Sequence, residues 1–113
     1  ISPDPTSLTD AYALIKILVS RYRERNVSLL VNNVQGDGER SESEAKRCFT
    51  RLARALERFL HISPKYLGHV PLDPMVREAI QEQTPLVVTY PTSAASKAFR
   101  KLARSLDEEF IQY

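Results

Sequence analysis

The sequence has little of several residue types that build common functional sites. Its 113 residues include one cysteine, one methionine, no tryptophan and three glycines. A single cysteine excludes an internal disulfide and is typical of proteins in a reducing cytosol. None of the glycines (Gly36, Gly38 and Gly68) precedes a Lys-Ser or Lys-Thr pair, so the sequence contains no phosphate-binding P-loop. No apolar run approaches the roughly 18 residues that a membrane-spanning helix needs.

Residues that ligate metals or act as nucleophiles are equally sparse. Cys48, His61 and His69 do not have the spacing of a metal site, and no Ser-His-Asp or Cys-His arrangement is indicated. Both histidines are expected at the surface or in packing roles. Cys48 lies on the apolar face of a predicted helix, which favours a small core residue.

The charge of the chain is nearly balanced. Sixteen basic residues against 14 acidic ones give a formal net charge of +2, which argues against a sequence-specific nucleic-acid binder. Apolar residues make up 42% and charged residues 27%, as in globular proteins. Two predicted helix faces are basic, and each either binds an anionic partner (DNA or acidic lipid) or is solvated; the interspersed acids favour solvation. These faces carry Arg47, Arg51, Arg54 and Arg58, and then Lys97, Arg100, Lys101 and Arg104.

Hydrophobic periodicity and turn residues predict seven elements. They are a helix over residues 7–23, a strand over 27–34, a helix that starts near residue 41, a strand over 65–70, a short helix over 75–83, a strand or extended loop over 85–91, and a helix over 93–109. Thr6 or Ser7 is predicted to cap the first helix, with Asp10 as an acid near its positive end. Ser41 and Glu44 fit a capping box for the second.

Each long helix carries one apolar stripe that is predicted to be buried. The three stripes are Leu8, Ala11, Tyr12, Ile15, Leu18, Val19 and Tyr22, then Ala45, Cys48, Phe49, Leu52, Ala55, Leu56 and Phe59, then Ala95, Ala98, Phe99, Leu102, Leu106 and Phe110.

Strands that alternate with helices predict an α/β fold with a parallel sheet. Two strands are few for such a sheet, because its faces and edges need covering, so further elements are expected. The start of the chain is consistent with this, since the apolar Ile1 precedes a proline-rich turn as the end of a strand does. We therefore expect residues 1–113 to begin in the middle of a domain; a processed or trimmed chain is the alternative.

Several segments in order resemble the second half of MinD/ParA-type (deviant Walker A) P-loop ATPases. The resemblance covers nearly the whole chain and is strongest to the branch of flagellar-number regulators, FlhG/FleN-like. It is carried by residues 3–16 (PDPTSLTDAYALIK), 29–34 (LLVNNV), 66–79 (YLGHVPLDPMVREA), 83–87 (QTPLV) and 90–95 (YPTSAA). It implies a C-terminal half of a MinD-like ATPase domain over residues 1–113, without the phosphate-binding half.

The resemblance also implies roles for single residues. Asn32 would hydrogen-bond the adenine edge, which suits an amide because it both donates and accepts. Pro71, Leu72 and Asp73 would pack round the base and ribose. Taken alone, Asn32 and its neighbour Asn33 could simply end a strand, and the prolines could be turn residues; Asn33 is expected to be a bystander.

Two acids are implied at a dimer interface, namely Asp4 and Asp10. Many family members have Pro-Glu where this sequence has Pro3-Asp4, so the reach across the interface would be shorter. Asp10 could equally be a first-turn acid that only stabilises its helix.

The function implied is regulation of flagellar number or placement through ATP-dependent homodimerisation. The parent would bind ATP and Mg²⁺ and hydrolyse ATP, whereas this chain alone should be inactive and bind no cofactor. Expected partners are a second copy and flagellar regulatory or assembly proteins, with the protein in the cytoplasm or peripheral at the inner face of the cell membrane. The alternative function is a stand-alone protein-interaction module that binds no nucleotide.

Overall fold

The computed structural model describes residues 1–110, and for residues 109 and 110 it describes the backbone only. The elements are α1 (Pro5–Tyr22), β1 (Ser28–Val34), α2 (Glu39–Leu60), β2 (Lys65–Pro71), α3 (Pro74–Glu82), the one-turn α4 (Leu86–Thr89) and α5 (Ala94–Phe110). Strands β1 and β2 are parallel, as the sequence predicts for an α/β fold. The predicted Phe110 position of the last stripe lies outside the side chains described.

Ile1 lies along the edge of β1 that does not face β2. Its amino group donates to the Leu30 carbonyl oxygen (2.8 Å), and its own carbonyl oxygen accepts from the Asn32 N–H (2.7 Å). Bonds to residues on either side of Val31 are the pattern of a parallel ladder. The first residue therefore has the strand-like pairing that its apolar character predicts.

The two faces of the sheet are covered by different helices. On one face α1 and α2 pack over β1, and Ile15, Leu52 and Leu56 contact Leu29 in a buried cluster. Cys48 belongs to a second buried cluster with Val31, which confirms it as a small core residue. On the other face α5 covers β2, where the buried residues are Val70, Ala95 and Leu102.

A bulge in β2 changes which of its side chains share a face. Leu29 pairs with Tyr66, but the next residue, Leu30, pairs with Gly68, so Leu67 is an extra residue. Gly68 has φ +143°, and a Cβ atom there would come 2.9 Å from Leu102 Cδ2. Because of the bulge, Tyr66 and His69 lie on the same side of the sheet although they are three residues apart.

Helices α1 and α3 begin with the same dipeptide. Asp4 and Asp73 are the N-caps, each accepting a hydrogen bond from the N–H two residues later, and each is followed by a proline in the first turn. The predicted caps Thr6 and Ser7 are therefore wrong. The helix starts earlier than predicted, so Asp10 lies beyond its first turn and the first-turn interpretation of this acid is also wrong.

The capping box predicted at Ser41 and Glu44 is wrong as well. Helix α2 begins at Glu39 after Gly38, which has no side chain to cap with. Ser41 is already helical, and its hydroxyl donates back to the Gly38 carbonyl oxygen at 3.0 Å. Two glycines before the helix allow the chain to turn early, at φ values of +90° and +57°.

The segment after α3 is neither a strand nor an extended loop. Residues 86–89 form the one-turn helix α4, in which the Tyr90 N–H donates to the Leu86 carbonyl oxygen at 2.8 Å. The β-branched residues favoured a strand. However, Pro85 precedes the turn as its N-cap residue, and its carbonyl oxygen accepts from the Val88 and Thr89 N–H groups. Leu86 packs into the α5 cluster, which also favours the turn.

The predicted stripes are buried in their middle and exposed at their ends. Tyr22, Phe59 and Leu106, towards the helix ends, are exposed rather than buried as predicted, and so is Phe99 within α5. A 22-residue helix is about 33 Å long whereas a seven-residue strand spans about 23 Å, so the ends of the long helices extend past the sheet.

Candidate functional site

The residues predicted to contact a base meet at one edge of the sheet. Because β1 and β2 are parallel, their carboxyl ends lie side by side, and Val34 pairs with Pro71. The Leu72 N–H continues the ladder by donating to the Val34 carbonyl oxygen at 2.8 Å. Asn32, near the end of β1, is thereby brought to the same edge as Pro71 and Leu72, and the Leu72 side chain is 57% exposed there.

The two asparagines of β1 form one local unit. The Asn32 side-chain oxygen accepts from the Asn33 N–H at 2.9 Å, and Asn33 has φ +56°, which asparagine tolerates better than most residues. The register shifts between Val31 and Val34, so both asparagines protrude and are exposed. The Asn32 amide keeps its two N–H donors for another partner.

A cleft of about 880 Å³ opens beside this edge. That volume lies in the range of small-molecule sites, roughly 300–1,000 Å³. Asn33 lines the cleft, whereas none of the four residues predicted to contact the base and ribose does: Asn32, Pro71, Leu72 and Asp73. The residue predicted to be a bystander therefore has the more direct access. The lining is mostly polar and comprises Ser2, Pro3, Asp4, Asn33, Gln35, Gly36, Arg40 and Glu44.

Arg40 was not predicted, and Gly36 is the reason that it reaches this cleft. The Arg40 side chain crosses Gly36, where a Cβ atom would lie 3.2 Å from Arg40 Cγ and 3.3 Å from Cδ. The φ of +90° at Gly36 independently favours glycine. A glycine four residues before an arginine at a helix start is too weak a sequence signal to have indicated this contact.

Asp73 serves as a brace between two helices. Its carboxylate accepts from the Met75 N–H and from the Ala95 N–H, both at 2.9 Å, at the starts of α3 and α5. Burial by itself raises the pKa of Asp73, but these two hydrogen bonds and one from the Ser93 hydroxyl outweigh it, so the pKa is lowered. The ribose contact predicted for Asp73 stays a prediction and would have to use its remaining lone pairs.

The two acids assigned to a dimer interface lie differently. Asp4 caps α1, with its Oδ1 atom 3.1 Å from the Thr6 N–H, and also lines the cleft. Asp10 is exposed on α1 and does not line the cleft. A role at an interface between subunits remains a prediction for both.

Comparison with known proteins finds homologues for nearly the whole chain. No protein-family model matches the chain. Over 107 residues, 95% of the chain, it is 36% identical to the antiactivator FleN of Pseudomonas aeruginosa. It is 33% identical over 94% of its length to an uncharacterised ATP-binding protein of Methanocaldococcus jannaschii. The chain is a homologue of the MinD/ParA-type proteins.

A more distant MinD/ParA-type relative is an iron–sulfur cluster carrier protein of Aquifex aeolicus, 28% identical over 95% of the chain. The chain spans about a third of the length of these curated relatives: 36%, 35% and 29% of the three proteins. Each match covers 94–95% of the chain, so the edge with Asn32 and Pro71, far from both ends of the sequence, lies in the region shared with them.

Two further properties bear on this MinD/ParA-type homologue. Within residues 1–110, no group of three or more His, Cys, Asp or Glu side chains could hold a metal ion. No helix in the same residues is both long and apolar enough to cross a membrane.

Proposed function

We propose that this chain is the C-terminal part of a MinD/ParA-type ATPase of the flagellar-regulator branch and that its carboxyl sheet edge binds the adenosine part of ATP. One observation carries the proposal. The cleft beside Asn33 opens at the same edge as Asn32 and Pro71, in a chain related along almost its whole length to an ATP-binding protein and to FleN.

The groups at this edge suit a nucleoside. Side-chain amides of Asn32 and Asn33 can both donate to and accept from a heterocyclic base. The exposed Leu72 beside Pro71 offers an apolar surface for the face of the base. Carboxylates at Asp4 and Glu44 can accept hydrogen bonds from ribose hydroxyls.

The described residues do not supply a site for Mg²⁺ or for phosphate-transfer chemistry. They contain no group of three metal ligands, and the sequence contains no P-loop. The chemistry that Mg²⁺ supplies when bound, neutralising phosphate charge, is therefore assigned to none of these residues. What this chain contributes in the proposal is binding and orientation of the base.

Dimerisation belongs to the same proposal. Asp4 and Asp10 lie at and after the start of α1, and both are exposed. In the proposed function, ATP bound beside Asp4 stabilises a homodimer through this end of α1, and the dimer acts on flagellar regulatory or assembly proteins. The similarity to FleN, an antiactivator, supports flagellar proteins as the target of the dimer.

Calorimetric titration of the full-length protein with Mg-ATP tests the proposal. We expect binding that is weakened in Asn33→Ala and unchanged in Asn26→Ala. Asn26 is the control because it is an exposed asparagine at the opposite, amino-terminal end of β1. No binding of Mg-ATP would contradict the proposal and leave the protein-interaction module as the better interpretation.

A further inference from the structure

The edge of β2 that does not face β1 lies in a groove outside the proposed nucleotide cleft. Among residues 1–110 the sheet has two strands, and β1 pairs with one edge of β2. The groove has a volume of about 380 Å³ and follows β2 lengthwise from Tyr66 to Pro71. The start of α2 forms one wall and α5 forms the other. The groove therefore opens at the free edge of the strand, and it shares no lining residue with the cleft.

The free edge of β2 presents backbone groups that another strand can pair with. The N–H groups of Lys65 and Leu72 donate towards β1, to the carbonyl oxygens that precede and end that strand. Successive residues of a parallel strand direct their backbone groups to alternate edges, and the bulge in β2 adds one residue to this count. The N–H groups of Tyr66 and His69 therefore point into the groove. Pro71 has no N–H and ends the pairing there.

Small side chains on α5 leave room for one added strand. Ala94, Ala98 and Ser105 line the groove in one row at helical spacing, with Lys101 between them. A neighbouring strand lies about 4.8 Å from β2, which places it between α5 and the start of α2. The shape of the groove thus suits an extended backbone.

The charge beside the groove is positive. Lys97, Lys101 and Arg104 form a basic row on α5, and none of them forms an ion pair with a side chain of residues 1–108. On the opposite wall, Glu42 is paired with Lys46 at 3.1 Å, so its charge is compensated. One of the two basic helix faces of the sequence therefore borders an open strand edge, and it favours an acidic occupant.

The same charges disfavour a second copy of this chain in the groove. Two β2 edges that paired about a twofold axis would form a continuous sheet, with α5 of one copy beside α5 of the other. Lys101 and its basic neighbours would then face identical residues, and like charges across an interface repel. An acidic strand from another protein avoids this repulsion.

We propose that the free edge of β2 binds an acidic, extended segment of a partner protein, which pairs with Tyr66 and His69 as an added strand and places its carboxylates beside Lys101. In this mode of recognition, main-chain hydrogen bonds supply affinity and alternate side chains supply specificity. The inference does not rest on the proposed function, because it involves neither the cleft nor a nucleotide.

The test selects ligands for the full-length protein from a display library of random seven-residue peptides, the length of β2. Fluorescence anisotropy then measures the selected peptides against the wild type and matched variants. Ser105→Trp fills the groove, and Ala103→Trp is its control, at an exposed position of α5 that does not line the groove. Lys101→Glu reverses the charge beside the groove, and Lys16→Glu, at an exposed lysine of α1, is its control.

We expect the library to yield acidic peptides rich in β-branched residues. Their binding should be lost in Ser105→Trp and weakened about two- to fivefold in Lys101→Glu, the range of an exposed ion pair. Both control variants should bind like the wild type. Selection of basic peptides, or of no peptide that is sensitive to Ser105→Trp, would overturn the inference.

Hydrogen exchange in the wild-type protein provides a measurement that needs no variant. A selected peptide should slow the exchange of the Tyr66 and His69 amides, because these would donate to the added strand. Slowing confined to amides of α5 would mean that the peptide does not pair with β2, and would contradict the inference. Protection of the Tyr66 and His69 amides that rises with protein concentration in the absence of peptide would indicate a second copy in the groove, and would also contradict it.

Discussion

At the scale of single residues, the sequence predicts that Asn32 alone contacts the adenine. In the proposed site, Asn32 and Asn33 share this role. The Asn32 oxygen supports the Asn33 backbone, while the Asn33 side chain lines the cleft. The pattern of an apolar strand ending in two asparagines locates the site. It cannot say which amide enters the cleft, because that depends on the left-handed φ of Asn33 and the register shift after Val31.

Replacing either asparagine by alanine is expected to weaken ATP binding. Asn33→Ala should lose about 0.5–1.5 kcal/mol, or about two- to tenfold in Kd, the net value of one hydrogen bond. Asn32→Ala should lose a similar amount and also loosen the Asn33 backbone. Calorimetry on both variants checks this, and unchanged affinity in both would remove this pair from the site.

Gly68 is the residue on which the packing of α5 against β2 depends. Gly68→Ala is expected to destabilise the protein by about 1–3 kcal/mol, because its Cβ would overlap Leu102 and its φ is positive. Gly38→Ala is the control, since Gly38 also has a positive φ but nothing lies within 4 Å of its Cβ position. Urea unfolding should show the larger loss for Gly68; equal losses would mean that the Leu102 contact costs nothing.

At the scale of elements, the order of helices and strands follows from the sequence, and the details that differ have local causes. The Asp-Pro pairs at positions 4–5 and 73–74 are the real helix starts, and both are recognisable as an N-cap followed by proline. The bulge at Leu67 is different, because it coincides with the close approach of Leu102 to Gly68. The hydrophobic pattern of β2 alone does not indicate that tertiary contact.

Asp73 joins two elements, so its removal should affect both. Asp73→Ala is expected to destabilise the protein by about 1–3 kcal/mol, since one carboxylate serves the starts of α3 and α5. Asp37→Ala, in the exposed loop before α2, serves as the control. A change in thermal unfolding no larger than that of Asp37→Ala would contradict the bracing role.

The contribution of Asp73 to the free energy of unfolding should also depend on pH, because the hydrogen bonds to its carboxylate lower its pKa. Its pKa is lower in the folded protein than in the unfolded chain, so its stabilising effect is present above the unfolded pKa of about 3.9. The effect is lost as pH falls through the folded pKa. The difference in unfolding free energy between wild type and Asp73→Ala should therefore become smaller below about pH 4. A larger difference at low pH would contradict this prediction.

At the scale of the whole molecule, residues 1–110 form a two-stranded sheet covered on both faces. The predicted need for further strands follows from the exposed edge of a parallel sheet. Similarity over about a third of each relative's length agrees with the predicted resemblance. The identity of partners could not be predicted in this way, because no motif in these residues specifies a protein ligand.

The proposed dimer gives a prediction at this scale. Asp10→Ala is expected to impair ATP-dependent dimerisation of the full-length protein more than ATP binding, because Asp10 is exposed on α1 and lies outside the cleft. Sedimentation in the presence of ATP measures the dimer. Asp107→Ala, an exposed acid on α5, is the control, and a normal ATP dimer in Asp10→Ala would count against this interface.

In the proposed function, the base of ATP lies at the carboxyl edge formed by β1 and β2. Photolabelling of the full-length protein with 2-azido-ATP, followed by tryptic peptide mapping, tests it most directly because the azide reports the position of the adenine. We expect label in the peptides of residues 26–40 and 66–77, which contain Asn32, Asn33, Arg40, Pro71 and Leu72, and we expect this label to be lost when unlabelled ATP competes. ATP-protected label confined to other peptides would contradict it.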